Sequence, residues 1–359
     1  MELTKVLMVG PDRGVHGGIS AVVNEYYRAG LDKKVNLKYI GTMKEGSKLK
    51  KLFVAAFAYT RFINELKWCD VVHVHFSSDS SFLRKSLFIK TAYRHGKKIV
   101  LHQHGGDFVN YYNNQMTDKQ RQNVKNVLAM GNAMLVLTSS WKEFFSGITD
   151  EKKIRVFPNG IYVGDDSNDV NASAGAEGSI VNKDYNKILF LGRICRDKGM
   201  DELLDAMKSV HDTAPDAMLY IGGIFEDETY KKKIEECNEF VTYLGWVSGE
   251  QKEEYLKKCG ILVLPSYYEG FPVSIIEAMY KESAVIASMV GGIPDIISNG
   301  EDGILIPPKD TIALKNALID LIGNPEKIKN LGQNGREKVK KCYSVNKNIE
   351  ELLELYKSL

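Results

Sequence analysis

Cysteine is scarce in this 359-residue sequence, and none of it is arranged for cross-linking. Cys69, Cys195, Cys237, Cys259 and Cys342 are scattered and odd in number, with no CxxC pair. That excludes a disulfide framework and leaves reduced thiols as the expectation. There is no HExxH and no closed Cys/His grouping, so no metal site is expected. No apolar run is long enough to span a bilayer, and the opening MELTKVLMVG lacks both the basic leader and the apolar core of a signal peptide. A cytoplasmic protein is the expectation. Net charge is nearly absent too, at +2.

The small total hides an uneven distribution. Residues 1–163 carry 25 lysines and arginines against 13 acidic residues, and residues 164–359 carry 23 against 33. The basic half is expected to face something anionic. No nucleic-acid recognition motif accompanies the charge, so nucleic acid is not an expected partner. An anionic membrane surface or a phosphorylated lipid acceptor suits an enzyme better, and plain solubility is the simpler alternative. A 44% hydrophobic chain of this length exceeds the size of a single core, so two domains are expected.

Apolar β-branched runs at 6–9, 70–75, 98–102, 134–138 and 153–157 are separated by stretches long enough for crossover helices, the pattern of a parallel sheet covered on both faces. A polar excursion over 164–186 interrupts this order. Strand-like runs then restart at 188–192, 218–222, 241–244, 261–264, 284–287 and 303–306, with helices expected at 200–211, 228–238, 249–258, 273–281 and 312–321. The reading is α/β throughout: a Rossmann-like domain over 1–163, a second over 187–340, and a C-terminal helical segment, 341–359. Ile349, Leu352, Leu353 and Tyr356 give that segment an apolar stripe to pack, and the first domain is its expected seat.

Three loops at strand ends carry groups suited to an anionic ligand. After the first strand, Gly17 and Gly18 precede a helix and bring bare backbone to a phosphate or sugar, although a structural turn also uses such a pair; the loop is not the GxGxxG of dinucleotide binding. After 188–192, Arg193 and Lys198 are placed to meet a diphosphate, stabilising the charge that accumulates as a glycosyl-phosphate bond breaks. Arg196 and Asp197 are expected to pair at the surface. After 261–264 comes Glu269-Gly270-Phe271-Pro272-Val273-Ser274-Ile275-Ile276-Glu277. Glu269 lies in the loop, suited to a sugar hydroxyl. Glu277 lies one turn into a helix, suited to both ribose hydroxyls, and the amides near Val273 and Ser274 suit phosphate.

This combination resembles glycosyltransferase family 4, a retaining family with the GT-B fold, in which two Rossmann-like doubly wound domains face each other across a donor-binding cleft. Glu269 and Glu277 match its two glutamates eight positions apart. Gly192-Arg193 through Lys198-Gly199 resembles its donor-phosphate motif, Gly17-Gly18-Ile19 its first glycine loop, and Pro158-Asn159-Gly160 its interdomain segment. The resemblance implies a nucleotide diphosphate sugar donor, UDP being the commonest, bound by the domain over 187–340, and a glycan or lipid-linked acceptor on the side of 1–163, in bacterial cell-surface polysaccharide or glycoconjugate synthesis; with no metal-ligand motif in the sequence, no metal or other cofactor is expected. It gives His104, in Leu101-His102-Gln103-His104-Gly105-Gly106-Asp107, a steering role near the transferred sugar. Asp107 is a further candidate for contacting acceptor or orienting the loop. The resemblance also favours same-face attack over double displacement, with Glu269 holding sugar hydroxyls.

Leu49, Leu52, Phe53, Ala56, Phe57, Ile63 and Leu66 form an apolar helical stripe amid lysines and arginine. Interfacial adsorption to an anionic membrane and burial under a covering helix both produce it. Two other functions fit a donor site: a nucleotide-sugar epimerase, which changes the donor alone, and a noncatalytic nucleotide-sugar-binding protein.

Overall fold

A computed structural model describes residues 3–105, 108–164 and 183–359, with backbone only at 48 and 49. Asp107 and residues 165–182 of the polar excursion lie outside the described residues. The chain divides into two compact units, one formed by Met1–Tyr162 with Tyr343–Leu359 and the other by Val163–Cys342.

In the first unit the strands are β1 (Lys5–Gly10), β2 (Asn36–Gly41), β3 (Val71–Phe76), β4 (Lys98–Gln103), β5 (Ala133–Val136) and β6 (Ile154–Val156). Its helices are α1 (Gly18–Arg28), α2 (Leu31–Lys34), α3 (Lys48–Leu66), α4 (Asp79–Arg94), α5 (Phe108–Asn110), α6 (Asp118–Ala129) and α7 (Ser139–Ser146). The sheet order is β2-β1-β3-β4-β5-β6, every pair parallel. All six residues of β3 are buried, as a strand covered on both faces requires. The edge strand β2 is only half covered, and its NLKYIG offers no apolar run, which is why sequence reading passed over it.

The second unit contains β7 (Asp184–Leu191), α8 (Met200–Thr213), β8 (Met218–Gly222), α9 (Thr229–Glu235), β9 (Val241–Gly245), α10 (Gly249–Lys258), β10 (Cys259–Leu264), α11 (Val273–Tyr280), β11 (Ala284–Ser288), α12 (Ile293–Ile296), β12 (Ile304–Ile306), α13 (Thr311–Ile322) and α14 (Pro325–Cys342). Its sheet, again all parallel, runs β12-β11-β10-β7-β8-β9. Helix α8 shows the local logic: Met200, Leu203, Leu204, Met207 and Val210 recur at helical spacing and are buried, while Asp201 and Glu202 face the positive end of the helix.

The last helix, α15 (Val345–Ser358), belongs to the first unit. It buries Ile349, Leu352, Leu355 and Tyr356. Its approach is pinned by backbone bonds from Ile161 N–H to Tyr343 C=O and from Val345 N–H to Ile161 C=O, and by the Asn348 amide donating to Pro158 C=O at 2.9 Å.

Both sheets therefore reverse their winding once, between β1 and β3 in the first and between β7 and β10 in the second. Crevices at such reversals lie outside the carboxyl ends of the strands, where helix N-termini point free amides outward.

Candidate functional site

In the second unit the loops leaving β7 and β10 lie directly on one another. Gly199 has a left-handed φ of 69°, and a Cβ there would lie 2.1 Å from the Pro265 carbonyl oxygen, so only glycine permits the approach. Tyr267 N–H donates to Asp197 C=O at 2.8 Å across the same seam. The result is a meeting of two expected site residues: Lys198 Nζ donates to Glu269 Oε1 at 2.5 Å, and the Ser266 hydroxyl donates to the same oxygen at 2.7 Å. Lys198 and Glu269 are both largely shielded from solvent. The loop after β11 closes against them through Gly292 N–H, which donates to Gly270 C=O at 2.9 Å.

Helix α11 starts immediately after Pro272, whose fixed φ and missing N–H suit the turn into a helix. No side chain caps α11, and no acidic residue occupies its first turn. The amides of Val273 and Ser274 thus stand at a positive helix end open to an anion. Glu277, one turn further, accepts from Lys252 Nζ of α10 at 2.6 Å. Phe271 is buried and anchors the loop with its ring.

Arg193 stands apart from this group. Its guanidinium donates to both carboxylate oxygens of Glu226, at 2.8 and 2.6 Å, in a half-exposed pair. Such surface pairs contribute little stability, so the arginine is held loosely enough to be recruited by a stronger anion.

In the first unit the glycine loop runs from β1 into α1. Gly17 is extended (φ 172°) and occupies the N-cap of α1, which has neither a side-chain cap nor an acidic first turn. A Cβ at Gly17 or Gly18 would meet nothing within 4 Å. The fold itself does not demand glycine there. Asp12 braces the loop, its carboxylate accepting from Gly14 N–H at 3.1 Å and its carbonyl from the Ser20 hydroxyl at 3.0 Å.

His73 and His75 on β3, His102 on β4 and His104 just beyond it pack as a cluster. His73 Nδ1 bonds the Tyr356 hydroxyl of α15 at 2.6 Å and His73 Nε2 bonds His102 Nδ1 at 3.2 Å. Separately, His75 Nδ1 bonds His104 Nε2 at 2.9 Å. Burial lowers every one of these pKa values, to about 3 for His73 and for His104 and well below the ordinary histidine range for His75 and His102. The imidazoles are consequently neutral at neutral pH, and His104 offers a hydrogen bond rather than a positive charge. His102 is fully buried within its strand, whereas His104 reaches the partly exposed loop. Ligating atoms of His73, His75 and His102 lie within 4.8 Å of one another, a convergence that sequence reading did not anticipate; hydrogen bonds join His73 to Tyr356 and to His102, and His75 to His104.

Sequence reading missed Lys252, Ser266, Glu226 and Tyr356. Lys252 sits in the polar helix α10 with nothing to set it apart, and Glu226 follows β8 at a distance of 33 residues from its partner. Tyr356 was visible only as part of an apolar stripe. Among the described residues, no helix is long and apolar enough to cross a membrane.

Comparison with known proteins agrees with this architecture. Residues 176–338 match the family of glycosyl transferases group 1, and residues 28–164 match Glycosyltransferase Family 4. An uncharacterized glycosyltransferase of Methanocaldococcus jannaschii is 33% identical over 181 residues, 49% of this chain and 49% of that protein, so the match spans about half of either length. Among solved structures, sucrose-phosphate synthase from Thermosynechococcus elongatus superposes with a TM-score of 0.78 at 20% identity, covering 99% of this chain and 98% of that one. Anabaena HepE, solved in complex with UDP and glucose, superposes with a TM-score of 0.74 at 15% identity, covering 99% and 100%. Two parallel-sheet units, each wound in both directions, give the chain the GT-B fold of these solved structures, and its first and second halves are similar to Glycosyltransferase Family 4 and to glycosyl transferases group 1 respectively.

Proposed function

We propose that this chain is a retaining, metal-independent hexosyltransferase of glycosyltransferase family 4. It takes a nucleotide diphosphate sugar, UDP-linked, and transfers the sugar to a hydroxyl of a glycan or lipid-linked acceptor in bacterial cell-surface polysaccharide or glycoconjugate synthesis, on the cytoplasmic side of the membrane. The observation that carries this reading is the assembly at the β7/β10 reversal, where Lys198 of the β7 loop pairs with Glu269 of the β10 loop, and the same β10 loop leads into the uncapped start of α11, with Glu277 one turn into that helix. The UDP bound to HepE supports the choice of nucleotide.

The roles follow from the chemistry of each group. Glu277 accepts from the ribose hydroxyls, and Lys252 holds its carboxylate in place. The amides of Val273 and Ser274 and the Lys198 ammonium receive the diphosphate, joined by Arg193 when the diphosphate outcompetes Glu226. As the bond from the anomeric carbon to the phosphate oxygen breaks, its electron pair stays on the diphosphate, and these fixed positive groups stabilise that charge. Glu269, released by Lys198, accepts from sugar hydroxyls. The acceptor hydroxyl attacks from the side that the diphosphate leaves, its proton passing to a phosphate oxygen, so configuration is retained. Neutral His104 steers the sugar through a hydrogen bond, with its ring set by His75. Gly17 and Gly18 supply bare backbone to the reacting end of the donor or to the acceptor.

Incubation with candidate nucleotide sugars and an acceptor panel, with anomeric analysis of products, tests the reading. A new acceptor bond of unchanged anomeric configuration supports it. An altered donor with no acceptor product identifies an epimerase, and binding without turnover identifies a sensor.

A further inference from the structure

Helix α3 of the first unit uses only one side for packing. Ala58, Phe62 and Leu66 are buried, Phe62 meets Phe88 of α4 edge-on at 4.9 Å, and the Tyr59 hydroxyl bonds Thr91 at 2.9 Å. The large apolar residues on the other side have no such cover: Leu52 is 69% exposed, Phe53 75% and Phe57 73%, with Ile63 exposed beside them. The sequence stripe is thus two stripes, and the fold needs only one. An uncovered cluster of this size on one helix marks an interaction surface.

Its charge selects the partner. Lys51 and Arg61 are exposed on α3 and Lys67 at its C-cap, and the helix has a single acidic residue, Glu65, which is held by Lys38 at 2.6 Å. Phe53, Phe57 and Arg61 line a recess with Ile40 and Gly41 at the carboxyl end of β2, together with Lys44 and Asp12, which pair at 3.3 Å. Helix α4, packed on α3, adds exposed Leu83 and Leu87. Aromatic and aliphatic side chains ringed by cations match the boundary between headgroups and acyl chains of an anionic bilayer. An acidic protein surface would match the cations and leave the phenylalanines unused.

We propose that α3 is a membrane-docking helix that seats Leu52, Phe53 and Phe57 in an anionic lipid surface while Lys44, Lys51, Arg61 and Lys67 meet its headgroups. This rests on the glycosyltransferase reading and deepens it. Asp12 lines the recess and also braces the Gly14–Gly18 loop, so the docked face adjoins that loop and suits an acceptor carried on a lipid.

Co-sedimentation of the full chain with phosphatidylcholine vesicles, with and without phosphatidylglycerol, tests it. Binding is expected only to the anionic vesicles and is expected to weaken with salt. Phe53→Ser with Phe57→Ser is expected to lower the vesicle partition at least about tenfold, and Arg61→Glu about fivefold or more. Both variants change exposed residues and are expected to keep the wild-type melting temperature and UDP affinity. Absence of wild-type binding to anionic vesicles, equal binding to uncharged ones, or undiminished binding by the double phenylalanine variant would overturn the proposal. UDP affinity is measured in the same samples; loss of vesicle binding with UDP binding intact removes the docking helix alone, whereas absence of UDP binding removes the donor reading.

Discussion

Lys198 and Glu269 hold each other in a largely shielded pair, so in the proposed mechanism the lysine exchanges a carboxylate for phosphate with no need to be brought from solvent. Lys198→Ala is expected to lower turnover by about 10²–10³-fold, as removal of a preorganised charge-stabilising group does; a steady-state assay checks it. Arg193→Ala is expected to cost less, because Arg193 must first leave Glu226. His104→Ala is expected to reduce transfer more than UDP affinity, and parallel losses in both would assign the residue to nucleotide binding. The histidine cluster also makes a pH prediction. His73 falls from an ordinary value of 6.5 to about 3 on folding, so the unfolded chain binds the extra proton between those values. Its stabilising contribution is complete above about pH 6.5 and is lost as pH falls toward 3. Melting temperature is therefore expected to decline on acidification through that window, and to decline less steeply in His73→Gln.

At the scale of elements, contact between loops decides what the site can do. Gly199→Ala introduces both a strained φ and an overlap with Pro265, forcing the β7 and β10 loops apart. Loss of UDP affinity out of proportion to any fall in melting temperature is the expected result, read by calorimetry on the same sample. Helix α15 makes a different prediction: Leu352→Ala removes a fully buried side chain and is expected to cost about 2–5 kcal/mol by denaturant titration. Most elements of the sheets were legible because buried parallel strands are written as short apolar runs. Helix α14 was not: it carries Gly332 and Gly335, and glycine disfavours a helix interior. They are contact points: a Cβ at Gly332 would lie 2.3 Å from the Glu282 carbonyl oxygen, and one at Gly335 would crowd Met279. The α3 stripe was legible as a pattern, but its division into a buried and an exposed side depends on packing against α4, which periodicity does not encode. The spacing of Glu269 and Glu277 was visible in the chain; the lysines that hold them were separated from them by 71 and 25 residues.

For the molecule as a whole, the proposed reaction divides between the two units. The second unit gathers the charged groups proposed to receive a diphosphate, and the first carries the neutral histidines and uncapped amides proposed to meet sugar and acceptor. The phosphate-directed groups are lysine, arginine and backbone amide, so transfer is expected to persist in excess chelator; loss restored by one divalent ion would refute metal independence. The most direct measurement is a calorimetric titration of UDP into the wild type, Lys198→Ala and Glu277→Ala. The account predicts saturable binding to the wild type and at least about tenfold weaker binding in each variant, the size expected when a charge-assisted hydrogen bond is lost. No binding by the wild type, or equal affinity in all three folded proteins, would contradict it.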